Sequence, residues 1–182
     1  MSLVWSLDGP TALKGPIFTC VGTAVAMTGG LGVAQSAAFI LSNPLTSKVK
    51  LIPLRYMAMP TGVGTAAVIG CAKALLGTAS LAPAGAGGGG VTIVSVGLGT
   101  GSSVGQIWGS ATMVNGTAGP AANNAWVVVD QVAAIGTNGS VTGVDGIGVT
   151  QLLPGESAMV YASAGQTLQP QITWIEVALQ GA

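Results

Sequence analysis

An all-β fold is what this chain predicts, and two observations predict it. Short runs rich in Val, Ile, Thr and aromatic residues are bounded by clusters of Gly, Pro, Asn and Ser, the punctuation of many short strands. No long stretch keeps the apolar period of an amphipathic helix. Candidate strands fall at residues 3–7, 17–28, 33–41, 48–59, 65–74, 91–96, 106–114, 125–134, 149–153, 157–162 and 171–179. About ten strands in one domain build an antiparallel β-sandwich or a barrel. The glycines and aromatics recur at no fixed period, which argues against a propeller or a β-helix.

In chain order, residues 1–16 read as an N-terminal arm or extra strand, with Leu3, Val4, Trp5 and Leu7 as its apolar side chains, and residues 17–182 as a single domain. Asn43-Pro44 makes a turn into the strand at 48–59, because the Pro ring fixes φ. Residues 66–76 are rich enough in Ala and Leu to be a short helix, although a strand is the preferred reading. Residues 82–90, with Pro83 and four consecutive glycines, form the clearest loop. Residues 100–105 and 115–124 are further loops, the second long enough to reach a neighbour. Pro154-Gly155 is a type II turn candidate before the strand at 157–162. In the last strand Ile172, Trp174 and Glu176 alternate with Thr173, Ile175 and Val177, so both faces carry apolar groups and the strand sits between two packed surfaces.

Composition narrows the function. Only 5% of the residues are charged, five basic against five acidic, where an ordinary domain has about 25%. A surface with so little self-repulsion associates, so an oligomer or a lattice component is expected. Neutrality excludes nucleic acid, whose phosphates demand clustered Lys and Arg; Lys48, Lys50 and Arg55 are the nearest approach to a cluster and read as one solvated or interface face. The uncharged stretch at 15–47 is broken by Gly, Thr, Gln and Ser into strand-length pieces, which argues against a transmembrane helix. The N-terminus has no basic region followed by an apolar core, so no secretion signal is read.

The chain has no histidine, which removes Ser-His-Asp and Cys-His nucleophiles and the commonest zinc ligand together. Asp130 and Asp145, the two carboxylates closest to a pair, read as structural rather than as a glycosidase pair or a calcium cage. Gly97, Gly99 and Gly101 lack nucleotide-loop spacing. No catalytic residue, cofactor or metal is expected. Cys20 and Cys71 have no redox or metal spacing and read as small buried hydrophobes, with a disulfide between them left open. Trp5, Trp108, Trp126 and Trp174 read as core or subunit-interface anchors, or as a sugar-stacking platform.

The segment Phe39-Ile40-Leu41-Ser42-Asn43-Pro44-Leu45-Thr46-Ser47-Lys48-Val49-Lys50-Leu51 resembles the strand, Asn-Pro, strand segment of small jelly-roll proteins of tailed bacteriophages. Leu152-Leu153-Pro154-Gly155-Glu156-Ser157-Ala158-Met159-Val160-Tyr161, followed by Gln171-Ile172-Thr173-Trp174-Ile175-Glu176-Val177, is similar to the last two strands of TNF-like trimeric jelly rolls, head decoration (cement) proteins among them. Leu45-Thr46 departs from that pattern, in which a glycine commonly follows the proline. The resemblance implies a jelly-roll homotrimer on the outer surface of the capsid of a virion, bound to the major capsid protein, with no enzymatic activity. Interface residues are then expected among Leu3, Val4, Trp5, Leu7, Trp108, Trp126, Tyr161 and Trp174. The alternative is a tail-fibre or receptor-binding module of the same fold, reading host glycan through Trp108 or Tyr161 with Asn123, Asn124 and Gln106.

Overall fold

The computed structural model describes residues 15–23, 25–27, 35–61, 68–74, 93–96, 102–114, 126–133, 142–145, 151–162 and 166–179. The strand at 3–7 with its arm residues Leu3, Val4, Trp5 and Leu7, and the loops at 82–90 and 115–124, lie outside these residues. Among the described residues there are eleven strands and no helix: β1 (Ile17–Val21), β2 (Val25–Met27), β3 (Gln35–Ser42), β4 (Val49–Pro60), β5 (Val68–Ala74), β6 (Ile93–Ser95), β7 (Gln106–Val114), β8 (Trp126–Ala133), β9 (Thr142–Asp145), β10 (Ser157–Ala162) and β11 (Gln166–Ala178). No helix among them is therefore long and apolar enough to cross a membrane.

The strands form two antiparallel sheets. The first runs β6-β1-β11-β4-β9, with β2 also paired to β11; the second runs β7-β3-β10-β5-β8. Four pairings are nested in the sequence: β1 with β11, β3 with β10, β4 with β9 and β5 with β8. They alternate between the first and second sheets, so the chain behaves as one long hairpin wound back on itself. β6 and β7 are inserted between β5 and β8, and each extends a sheet by one edge, β6 beside β1 and β7 beside β3.

One apolar cluster joins the two sheets. Phe18, Cys20, Tyr56, Ile172 and Trp174 come from the first, and Phe39, Leu41, Ala158 and Val160 from the second. Along β11 the core side is kept by Leu168, Ile172 and Trp174 at strict period two. Its partner β4 changes phase, since Leu51 and then Tyr56 and Ala58 face the core. A bulge reconciles them: Thr173 faces Arg55 and Trp174 faces Pro53, so Leu54 is the extra residue and every later side chain shifts face. Pro53, which has no N–H to give, sits at that interruption.

Several expectations need correction. Residues 17–28 are two strands rather than one, broken at Gly22-Thr23, though Gly22 N–H still donates to the Pro170 carbonyl at 2.7 Å. That break accommodates Pro170 in the middle of a sheet, where a ladder donor is otherwise required. Residues 68–74 are strand, because β10 and β8 flank them and offer ladders on both sides. The expected strand at 149–153 is, within its described part, a single bridge between Leu51 and Leu152. β9 was not expected: Thr-Gly-Val-Asp has poor strand propensity, and pairing with β4 overrides it.

Candidate interaction surface

The two segments that carried the phage resemblance, far apart in sequence, meet at one end of the molecule. β3 ends at Ser42, which is flanked by Ser157 of β10 on one side and Gln106 of β7 on the other. Three connections therefore converge there: residues 43–48, 102–105 and 151–156. Each is fixed by a buried polar side chain.

Asn43, 2% exposed, holds the first connection to the third. Its Nδ2 donates to the Val49 and Leu152 carbonyls, both at 2.9 Å, and its Oδ1 accepts from Ser47 Oγ at 2.5 Å. Its backbone N–H donates to the Glu156 carbonyl at 2.9 Å, and its own carbonyl accepts from Gly155 N–H at 2.8 Å. A buried amide of this kind is tolerated because its donors and acceptors are used.

The turn Leu153-Pro154-Gly155-Glu156 has the type II form its sequence predicts. Glu156 N–H donates to the Leu153 carbonyl at 2.9 Å, and Gly155 has φ 86°, a region where a Cβ is strained. Glu156 is buried, and its Oε2 accepts from Leu153 N–H at 2.7 Å.

The middle connection is held by Glu176 on β11. Glu176 shares the core-facing phase of Ile172 and Trp174, and it is 5% exposed. Its Oε1 accepts from Ser103 Oγ at 2.6 Å, Val104 N–H at 3.0 Å, Gly105 N–H at 3.1 Å and Trp174 Nε1 at 3.2 Å. Oε2 accepts from Val104 N–H at 3.2 Å. Consecutive backbone N–H groups with a hydroxyl and an indole form a concavity for negative charge, and the chain's own carboxylate fills it. Gly105 is needed there: a Cβ would stand 3.1 Å from Leu41 Cδ1 and 3.2 Å from Trp174 Nε1.

This hydrogen-bonded end presents apolar side chains to solvent. Leu45 is 74% exposed, Leu153 40% and Val104 39%, one from each connection. Lys48 is exposed beside them, and Lys50 Nζ reaches Gln151 Oε1 at 3.4 Å. Both described carboxylates of this end are buried, so among the described residues its exposed charge is the Lys48 ammonium, with Lys50 half-buried nearby.

The expected interface residues separate between the sheets. Trp108, Trp126 and Tyr161 all lie on the second sheet, paired with Ile40, Ala74 and Gly70 respectively. The Trp126 and Tyr161 side chains lie outside the described residues. Trp108 is half-buried on the face away from the shared core, beside Ile40, and its Nε1 is buried with no hydrogen-bond partner among the described residues. Trp174 is corrected from interface anchor to core: it is fully buried, stacks at a tilt 6.0 Å from Phe18, and has no surface left for a partner. The residues that organise this end, Asn43, Glu156 and Glu176, were not among the expected ones. A charge in phase with core residues was the available signal for Glu176.

Elsewhere, the outer face of the first sheet carries exposed Arg55 of β4, in register with Thr173 of β11 and Asp145 of β9. Gln171 Nε2 donates to Thr19 Oγ1 at 3.1 Å, and Thr19 and Thr173 hydroxyls are 3.0 Å apart. Cys20 is a free, buried thiol, pushed from 9.0 up to about 12 by burial. Among the described residues no three of His, Cys, Asp and Glu gather as metal ligands would. Comparison with protein-family models, curated proteins and solved structures returns no match.

Proposed function

We propose that this chain is a non-enzymatic structural protein of a virion: a homotrimeric jelly roll that decorates the outer surface of a phage head and binds its major capsid protein. The observation that carries the reading is the nesting of strand pairs. The orders β1-β11-β4-β9 and β3-β10-β5-β8 are those of a hairpin rolled into two four-stranded sheets, the winding of a jelly roll, with β6 and β7 as an inserted pair at the edges. The two segments that resemble phage proteins form adjoining corners of that winding. A surface nearly free of charge supports association with several neighbours at once, because modest contacts summed across a lattice give stable attachment.

The second sheet is the proposed trimer face, since it gathers Trp108, Trp126 and Tyr161. Residues 1–16, with Leu3, Val4, Trp5 and Leu7, are proposed to clasp a neighbour by adding a strand to its sheet edge. The test is the mass of the purified protein by light scattering without detergent, followed by mixing with undecorated heads. A stable trimer that binds heads supports the proposal. A trimer that ignores heads and binds host cells replaces it with the receptor-binding reading, in which Trp108 or Tyr161 meets glycan. Insolubility without detergent overturns both.

A further inference from the structure

We infer that the end of the molecule built from residues 43–48, 102–105 and 151–156 is the docking tip, and that its occupant is an acidic protein surface rather than another copy of this chain. The inference rests on the decoration reading and names the face through which the head is met.

Three observations lead there. Leu45, Leu153 and Val104 are large aliphatic side chains exposed on three different connections that converge beside Ser42. Among the described residues, exposed apolar groups of this size occur otherwise only at Val21, Val94 and Val96, on or beside β1 and β6. The connections beneath them are already organised, because Asn43, Glu156 and Glu176 occupy the turn and loop donors from inside. Binding through such a platform orders little that is not ordered already, which lowers its entropic cost. Finally, among the described residues the charges around the aliphatic groups are exposed Lys48 and half-buried Lys50, while Glu156 and Glu176 are buried against backbone N–H groups.

That charge distribution selects the partner. Two copies meeting tip to tip would set lysine against lysine, whereas carboxylates around an apolar depression would pair with the ammonium groups and accept the leucines. The apolar centre supplies the affinity and the lysines the orientation.

The experiment compares wild-type protein with Leu45→Ser/Leu153→Ser and with Lys48→Glu/Lys50→Glu, each a full chain of wild-type melting temperature, and reads the mass of each by light scattering. Binding to undecorated heads is measured at low and at high salt. The expected result is at least about tenfold weaker binding for each double variant. Added salt weakens the wild type and has less effect on the lysine variant. Wild-type affinity in both variants overturns the tip and leaves the decoration reading intact. Failure of the wild type to bind heads overturns both. Loss of the trimer in either variant assigns the tip to contacts between copies and overturns the partner.

Discussion

Glu156 and Glu176 are equally buried and lie at the same end of the molecule, yet they hold it in different ways. Glu156 bonds three residues back, to the Leu153 N–H of its own turn. Glu176 reaches Ser103, Val104 and Gly105, more than 70 residues earlier in the chain, and ties the approach to β7 onto the last strand. The same side chain thus trims a turn in one place and closes a long loop in the other. Burial does not measure what a charged group does for a fold; the sequence distance of the groups it satisfies comes closer.

The comparison breaks most visibly at Glu176. Glu176→Ala leaves the Val104 and Gly105 N–H groups and the Trp174 indole N–H without their acceptor, with only the Gly105 carbonyl left to the Ser103 hydroxyl, and is expected to lower the unfolding free energy by about 3–5 kcal/mol in urea melts. Hydrogen exchange at the Gly105 amide should rise in that variant before global unfolding. Asn43→Ala removes the amide bonds to the Val49 and Leu152 carbonyls, which keep Ser47 Oγ and Leu51 N–H as donors, so the expected loss is about 1–3 kcal/mol by the same measurement. Glu156→Ala is expected to cost about 1–2 kcal/mol and to leave Gly105 exchange unchanged, since the Gly105 N–H is held by Glu176. Equal exchange at Gly105 in the two glutamate variants would contradict the distinction. Gly155→Ala forces a Cβ into positive φ and should cost about 1 kcal/mol.

Cys20 sharpens the contrast from the apolar side. Its thiol titrates near 9.0 when unfolded and near 12 when folded, so the folded state holds the proton more tightly. The stability this contributes is complete below pH 9.0 and is lost as pH rises toward 12. The free-energy difference between wild type and Cys20→Ala should shrink across that range, and Cys20 should resist alkylation at neutral pH.

The strands were legible where periodicity and punctuation agreed. β7 and β10 fall on their expected bounds, because Gly105 and Glu156 stop the preceding connections and Val, Ile and aromatic residues follow. Sequence did not reveal β9, whose Thr-Gly-Val-Asp becomes strand only because β4 offers an edge. Nor did it reveal the bulge at Leu54, which exists to bring Leu51 and Tyr56 to one face. The end that carries Leu45, Val104 and Leu153 was half legible. Asn43-Pro44 and Pro154-Gly155 announced corners, but no spacing told that these corners touch. Ser103-Val104-Gly105 read only as loop, since its role depends on a carboxylate from the far end of the chain. Trp174 was open between core and interface, and only the pairing of β11 between β1 and β4 decides for the core.

The nested winding has a consequence for biosynthesis. Thr19 and Thr173, whose hydroxyls touch, are 154 residues apart, and β1 has no inner neighbour until β11 has been made. A ribosome adding about 5–20 residues per second therefore keeps Phe18 and Cys20 waiting for many seconds before Ile172 and Trp174 emerge to cover them. The edge strands β6 and β7 can join β1 and β3 earlier, but of the four nested pairs β5 with β8 is the first able to close and β1 with β11 the last. Nascent chains stalled before residue 166 should stay open to protease and bind chaperones, and release of the final strand should be the event that makes the protein resistant.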